Sequence, residues 1–184
     1  MAISDFPTLT GQLIPPRGTA SADSAGAVRV VEYTDPITGL PTGDLRREMR
    51  MFNNTGAATV IGDVYQATFS GDAAKNPTVI VCATATPTKN VAVAVEVIAD
   101  QAFGWFAICG WVNASLEATG NITALHFLKL TSGTSALAFI EDGAAETTSS
   151  HAIAVLAITT DGVNRPSVTV PNKVFLLGHR AIIA

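Results

Sequence analysis

The sequence is poor in charged, aromatic and sulfur-containing side chains, and these shortages exclude several classes of protein. Charged residues make up 14% of the 184 residues and aromatic residues 7%. The net charge is −4, so the chain lacks the surplus of Lys and Arg that neutralises phosphates in nucleic-acid complexes. We therefore expect that the protein binds neither nucleic acid nor an anionic membrane surface.

The two cysteines, Cys82 and Cys109, each lie inside an apolar run and outside any CxxC motif. Cysteines in such runs usually pack as small apolar residues, and we favour that interpretation for both. A disulfide or a shared metal ion is the alternative, because the sequence does not give their separation in space.

Residues that support catalysis in other proteins are few and scattered in this one. The three histidines, His126, His151 and His179, have no spacing typical of a metal site, and no nucleophile elbow or phosphate-binding loop occurs. Most acidic residues border predicted turns, where Asp is favoured by its hydrogen bonds to the backbone. We expect a protein that is not an enzyme and that has no catalytic residues, cofactor or metal. Two carboxylates that converge in space to cleave a glycoside are the alternative.

A targeting or membrane-spanning segment is not apparent in the sequence. The N-terminal residues have no basic region followed by an apolar segment. The apolar runs all fall short of the roughly 20 residues that span a bilayer. We expect synthesis in a cytoplasm, where the protein stays soluble or enters an assembly.

The abundant residues are small or β-branched, and their pattern predicts an all-β fold. Short runs rich in Val, Ile and Thr alternate with turn sequences such as Asp142-Gly143, which is typical of a sandwich or barrel. We predict a compact β-sandwich or barrel-like domain over residues 53–184, preceded by an extended N-terminal arm over residues 1–52. The arm contains one short strand, residues 28–34, and ends in residues 45–52, which form either a short helix or an extended linker.

Two predicted strands, residues 91–98 and 153–158, are apolar on both faces. Such strands are buried on both sides. Their outer faces therefore need a cover, either from another layer of this chain or from another subunit, and we take this as an indication of an oligomer.

Two tryptophans lie in one predicted strand region. Their even spacing would place Trp105 and Trp111 on one face of an uninterrupted strand, whereas a bulge at Gly110 would separate them. Such a pair is more often part of a core or a subunit contact than a glycan platform.

The only basic cluster consists of Arg46, Arg47 and Arg50. Three charges give a weak electrostatic footprint for nucleic acid. We interpret the cluster either as a solvated face or as a salt-bridging contact to an acidic partner surface.

Residues 104–112 carry the most specific pattern of the chain, Gly-Trp-x-x-x-x-Gly-x-Val. Residues 127–131, an apolar strand at 152–157 and residues 174–178 follow in that order. This arrangement resembles small tailed-bacteriophage virion proteins of the head-decoration and capsid-associated type, over about residues 91–184. Leu125 and His126 stand where that group usually has Gly-Asp.

The resemblance implies a virion structural protein, a cement protein, that binds the major capsid protein on the outside of the expanded icosahedral shell. It also implies a homo-oligomer, often a trimer, that is assembled in the host cytoplasm and stabilises the shell through many weak contacts. A head-fibre or tail-associated component that contacts a host glycan receptor is the alternative. We predict the shell contact on the arm, at Phe6, Leu13, Ile14, Arg17, Arg46, Arg47 and Arg50. We predict the subunit interface at Val91, Val93, Val95, Ile153, Val155, Trp105 and Trp111.

Overall fold

The computed structural model describes residues 25–34, 39–69, 75–83, 90–116, 128–130, 140–141, 157–159 and 172–177. These residues form ten β-strands and no helix, which confirms the predicted all-β fold. The strands are β1 (Val28–Thr34), β2 (Pro41–Asn53), β3 (Val64–Thr68), β4 (Thr78–Ile80), β5 (Val91–Ala94), β6 (Phe103–Ala114), β7 (Leu128–Lys129), β8 (Ile140–Glu141), β9 (Ala157–Thr159) and β10 (Asn172–Leu176).

Eight of the strands form one sheet that closes on itself. Its order is β1-β2-β4-β3-β5-β6-β10-β9, and β2 also pairs with β6. The second pairing joins β2, β4, β3, β5 and β6 into a closed ring, which is the barrel-like part of the fold. Within the ring β2 and β4 run parallel, and the other neighbours are antiparallel.

The long strands β2 and β6 extend beyond this ring into a second, antiparallel sheet. β1 pairs with the first half of β2, and β10 pairs with the last half of β6, with β9 beyond it. The second sheet therefore has the order β1-β2-β6-β10-β9. β2 and β6 belong to both the ring and this sheet.

A bulge in β6 marks the change from one sheet to the other. Arg47 pairs with Cys109 and Glu48 with Ala107, so that Ile108 is the additional residue. Such an insertion inverts the alternation of side chains along the strand. Gly110 follows the bulge with a φ of +91°, a backbone conformation that glycine adopts without strain.

The inverted alternation lets β6 contribute to two hydrophobic cores. Phe106 and Ile108 point into one core and Ala107, Val112 and Ala114 into the other. The interior of the ring contains Met51, Tyr65, Ala67, Val79, Ala92, Ala94, Ile98, Phe106 and Ile108. The second core contains Val64, Cys82, Val91, Val93, Ala107, Val112, Ala114, Leu116, Leu128, Leu130, Val174 and Leu176.

Two expectations from the sequence concern residues of these sheets. Val91 and Val93 are fully buried beneath residues of the same chain, including Leu128 and Leu176, so they are covered by a layer of this chain and not by a second subunit. The boundary predicted after residue 52 falls one residue before the end of β2. β1 and β2, which precede it, are strands of the same sheet as the later strands. The segment predicted as a short helix or an extended linker, residues 45–52, is extended and is part of that strand.

Helices long and apolar enough to cross a membrane are absent from the described part of the chain.

Candidate protein contact surface

Three arginines lie together on one face of the β1–β2–β6 region. Arg46, Glu48 and Arg50 alternate along β2 and so project to one side of the sheet. Arg29 pairs with Glu48 from β1, and Trp105 pairs with Arg50 from β6. We call these five residues the arginine face.

Glu48 holds two of the arginines in place. Its side chain has no exposed surface, and its Oε2 accepts a hydrogen bond of 2.6 Å from Nε of Arg29. Its Oε1 accepts a bond of the same length from Nε of Arg46. Charge-assisted bonds of this kind fix both position and orientation, and they offset the high cost of removing a carboxylate from water.

The ring of Trp105 packs against the guanidinium group of Arg29. The guanidinium carbon of Arg29 lies 4.2 Å from the centroid of the Trp105 ring, within the range of a cation–π interaction. Trp105 is 7% exposed. The Arg29 side chain is therefore held both by the carboxylate of Glu48 and by the aromatic ring.

Arg50 differs from the other two arginines. Its Nε is shielded from solvent and has no hydrogen-bond partner among the described residues. Buried N–H groups are almost always paired, and Nε of Arg50 is the exception on the arginine face. With three guanidinium groups and one carboxylate, this face has an excess of positive charge on an acidic protein.

Arg47 lies on the other side of β2. It pairs with Cys109 and is exposed, and it alternates with Arg46 and Glu48 along the strand. The structure thus brings Arg46 and Arg50 together and separates Arg47 from them.

A second exposed surface consists of the tips of two neighbouring loops, residues 54–63 and 95–102, which we call the loop platform. Val60, Ile61 and Val97 are 60%, 52% and 67% exposed there. Exposed apolar side chains are common singly, whereas groups of them often mark contact sites.

Buried polar side chains tie the two loops together. Nδ2 of Asn53, a fully buried residue, donates to the carbonyl oxygens of Ala57 and Ile98 at 2.8 and 3.0 Å. The Thr59 hydroxyl donates to the carbonyl of Glu96 at 3.0 Å and accepts from the Ile98 amide at 2.8 Å. These hydrogen bonds therefore fix the loop backbones that carry the exposed apolar side chains.

The two tryptophans do not form a common surface. Trp105 and Ala107 are two residues apart and point to the same side of β6. Ala107 and Val112 lie in the same core. Trp111 precedes Val112 and therefore points to the opposite side. The bulge thus sends the two rings to opposite faces. Trp111 packs instead against Phe175, with ring centroids 5.0 Å apart.

The remaining predicted site residues are either buried or outside the described ranges. Val95 is partly buried against the second core. Phe6, Leu13, Ile14, Arg17, Ile153 and Val155 lie outside the residues that the structure describes.

The sequence interpretation missed Arg29 and Glu48, although they organise the arginine face. An available signal was the Arg-x-Glu-x-Arg spacing of residues 46–50, which places three charges on one side only if the segment is a strand. From the sequence, that segment is either a short helix or an extended linker. The strand β1, which brings Arg29, is predicted over residues 28–34, but its pairing with β2 is not apparent from local sequence.

The described residues contain no group of three or more His, Cys, Asp or Glu side chains that could hold a metal ion. Cys82 is buried in the second core and Cys109 is partly buried on β6.

Comparison with known proteins gave no match to a family model, a curated protein or a solved structure.

Proposed function

We propose that the protein is a virion structural protein that binds the outer surface of an icosahedral capsid and stabilises the expanded shell through protein–protein contacts. The single observation that carries the proposal is the arginine face. Two of its three guanidinium groups are fixed in advance by Glu48, and the face carries more positive than negative charge. The resemblance of residues 104–112 to tailed-phage head proteins supplies the context.

Carboxylates are the groups that such a face fits. Guanidinium binds a carboxylate through two parallel hydrogen bonds, and fixing its orientation beforehand lowers the entropy lost on binding. The negative net charge of the whole protein disfavours a nucleic acid as the partner. An acidic patch on the major capsid protein is the partner that we propose.

Exposed apolar tips on the loop platform provide a second contact area. Many weak contacts, repeated over a symmetric shell, add up through avidity. Neither surface requires a reaction, which is consistent with a structural role.

The copy number of the chain in purified virions tests the proposal most directly. Quantitative mass spectrometry should find it in a simple ratio to the major capsid protein. A few copies per particle would favour the fibre or tail-associated alternative, and absence from the virion would contradict both.

Substitution of Arg50 tests the arginine face itself. Because the Glu48 carboxylate is paired with Arg29 and Arg46, Arg50→Gln leaves those ion pairs intact while removing one positive charge from the arginine face. We expect shell binding to weaken about tenfold, in line with the loss of one hydrogen bond to a charged group, as measured by co-sedimentation with shells that lack the protein.

Arg47→Gln is the matched control, since it removes an equal charge from the opposite side of the same strand. It should bind the shell like the unmodified protein. Equal weakening by both variants would show that only net charge matters and would remove the arginine face from the proposal.

A further inference from the structure

A separate cluster of reactive groups lies where β10 meets β6, β2 and β1. Lys173 on β10 is paired in register with Asn113 on β6. Nζ of Lys173 lies 3.2 Å from Oδ2 of Asp44, and the hydroxyl of Tyr33 donates a hydrogen bond of 2.7 Å to Oδ1 of Asn113. An amine, an amide and a carboxylate thus meet around one tyrosine.

Aromatic rings form the walls of this cluster. Nζ of Lys173 lies 5.0 Å from the ring centroid of Tyr33 and 4.6 Å from that of Trp111. The Phe175 ring packs edge-on against Trp111, and Tyr33 is 2% exposed. The two rings and the Asp44 carboxylate thus hold the Lys173 amine from several sides.

Each group has a role in forming an amide bond. Directly opposed residues of antiparallel strands have Cβ atoms roughly 4.5–5.5 Å apart, so a lysine can fold back onto the side chain of its partner. The hydrogen bond from Tyr33 draws electrons from the Asn113 carbonyl and stabilises the negative charge that develops there on attack. Asp44 is placed to accept and return a proton.

We propose that Lys173 and Asn113 form an intramolecular amide crosslink. Nζ of Lys173 attacks Cγ of Asn113, the bond from Cγ to the side-chain nitrogen breaks, and that nitrogen leaves as ammonia. Asp44 takes one proton from the Lys173 ammonium group, which frees Nζ to attack. A second proton passes from Nζ to the leaving nitrogen, and the released ammonia takes up the proton held by Asp44. The ammonium form of lysine and the primary amide thus become a secondary amide and an ammonium ion, with no oxidant, reductant or other reactant.

The cluster of Lys173, Asp44 and Asn113 is open to solvent on one side. The side chains of Lys173 and Asp44 are each 37% exposed, so ammonia can leave the cluster once it forms. The crosslink would join β6 to β10 and tie together two parts of the chain that are far apart in sequence.

Mass spectrometry of the purified full-length protein tests the proposal. The intact mass should be lower than the sequence mass by one ammonia, and a digest should contain a branched peptide that joins Lys173 to Asn113. Cyclisation of an asparagine to a succinimide also releases ammonia, so the branched peptide is the decisive product.

Three variants and one control separate the crosslink from other sources of mass loss. Lys173→Arg keeps the positive charge but removes the nucleophile, and it should have the full sequence mass. Asp44→Asn keeps both reacting groups and should block the reaction, whereas Tyr33→Phe should slow it. Lys75→Arg, which replaces another lysine that lies over an aromatic ring, should retain the loss.

Two results would overturn the proposal. One is a full sequence mass for the unmodified protein. The other is a loss of ammonia that persists in Lys173→Arg. Neither result depends on capsid binding, so this test and the tests of the proposed function succeed or fail independently.

Discussion

Two shielded carboxylates show how the protein accommodates buried charge at the scale of single residues. Glu48 lies between the guanidinium groups of Arg29 and Arg46. Asp63 instead receives hydrogen bonds of 3.4 Å from the hydroxyls of Tyr65 and Ser115. Burial raises the pKa of the Asp63 carboxyl above its usual 3.8, and the two hydroxyls oppose that shift only in part. Burial, reinforced by the nearby Asp63 charge, raises the pKa of Tyr65 to about 12.

Replacing Asp63 should alter the pH dependence of stability. Because its pKa is higher in the folded than in the unfolded state, its contribution to stability is fully present below the unfolded-state pKa. That contribution declines as the pH rises through the folded-state pKa. Asp63→Asn removes the decline, so its melting temperature should exceed that of the unmodified protein at neutral pH and match it in acid. Thermal unfolding followed by circular dichroism across this pH window measures the difference.

Tyr65→Phe should change the pH dependence of stability in the opposite direction to Asp63→Asn. It removes a hydrogen bond that lowers the pKa of Asp63, so stability should fall more steeply towards neutral pH. If Asp63→Asn changed the melting temperature equally at every pH, the effect would be one of packing and not of ionisation.

At the scale of strands, β6 was largely predictable and β2 was not. The aromatic and β-branched residues of β6 predict a strand. Gly110 predicts a bulge, which lies two residues earlier, at Ile108. β2 contains Arg46, Arg47, Glu48 and Arg50 within a short segment, a composition that local propensity does not assign to a strand. The Glu48 charge pairs with Arg29 of β1, which lies over the Trp105 ring of β6, and such distant pairing has no local signature.

Gly110 is the residue on which the close approach of β6 and β2 depends. A Cβ atom there would lie 2.4 Å from the carbonyl oxygen of Leu45 and 2.8 Å from Cα of Arg46. Gly110→Ala should therefore lower the free energy of unfolding by about 3 kcal/mol or more, through backbone strain and the clash together. Chemical denaturation measures the change.

Gly56→Ala is the matched control for the backbone conformation. Gly56 has a similar φ of +83°, but a Cβ atom there would meet nothing within 4 Å. Its replacement should cost about 1 kcal/mol, the usual penalty of the left-handed conformation. Equal losses in the two variants would mean that the contact with β2 is unimportant.

At the scale of the whole molecule, the ring closure could not be predicted from the sequence. Short β-branched runs and turns indicate a sandwich or barrel, but they do not specify that β2 pairs with both β4 and β6. The predicted boundary after residue 52 separates β1 and β2 from their partner strands for the same reason, because the pairing of β2 with β4 and β6 has no local signature. The arginine face was found in part, through Arg46 and Arg50.

Two truncations should separate folding from binding. Removing residues 1–24 leaves every described strand intact, so the protein should unfold cooperatively with a nearly unchanged melting temperature. Removing residues 1–50 deletes β1 and most of β2, which opens the ring and exposes both cores, so no cooperative transition is expected. Circular dichroism and calorimetry distinguish these outcomes.

An unfolded product of the shorter truncation would show that residues 1–24 are needed for folding. A cooperatively folded product of the longer one would show that the ring forms without β2. If the shorter truncation folds, its binding to shells reports whether Phe6, Leu13, Ile14 and Arg17 take part in the shell contact, as the sequence predicts.

Because Asn53 holds the backbone of the loop platform, the exposed side chains at its tips can change without affecting the closed ring of strands. Hydrogen bonds from Asn53 and Thr59 hold the loop backbones, and the side chains of Val60, Ile61 and Val97 take little part in packing because they are mostly exposed. Their replacement therefore costs the fold little. Such tips are free to diversify, and they are a suitable position for inserting a short foreign peptide that is to be displayed in a fixed orientation.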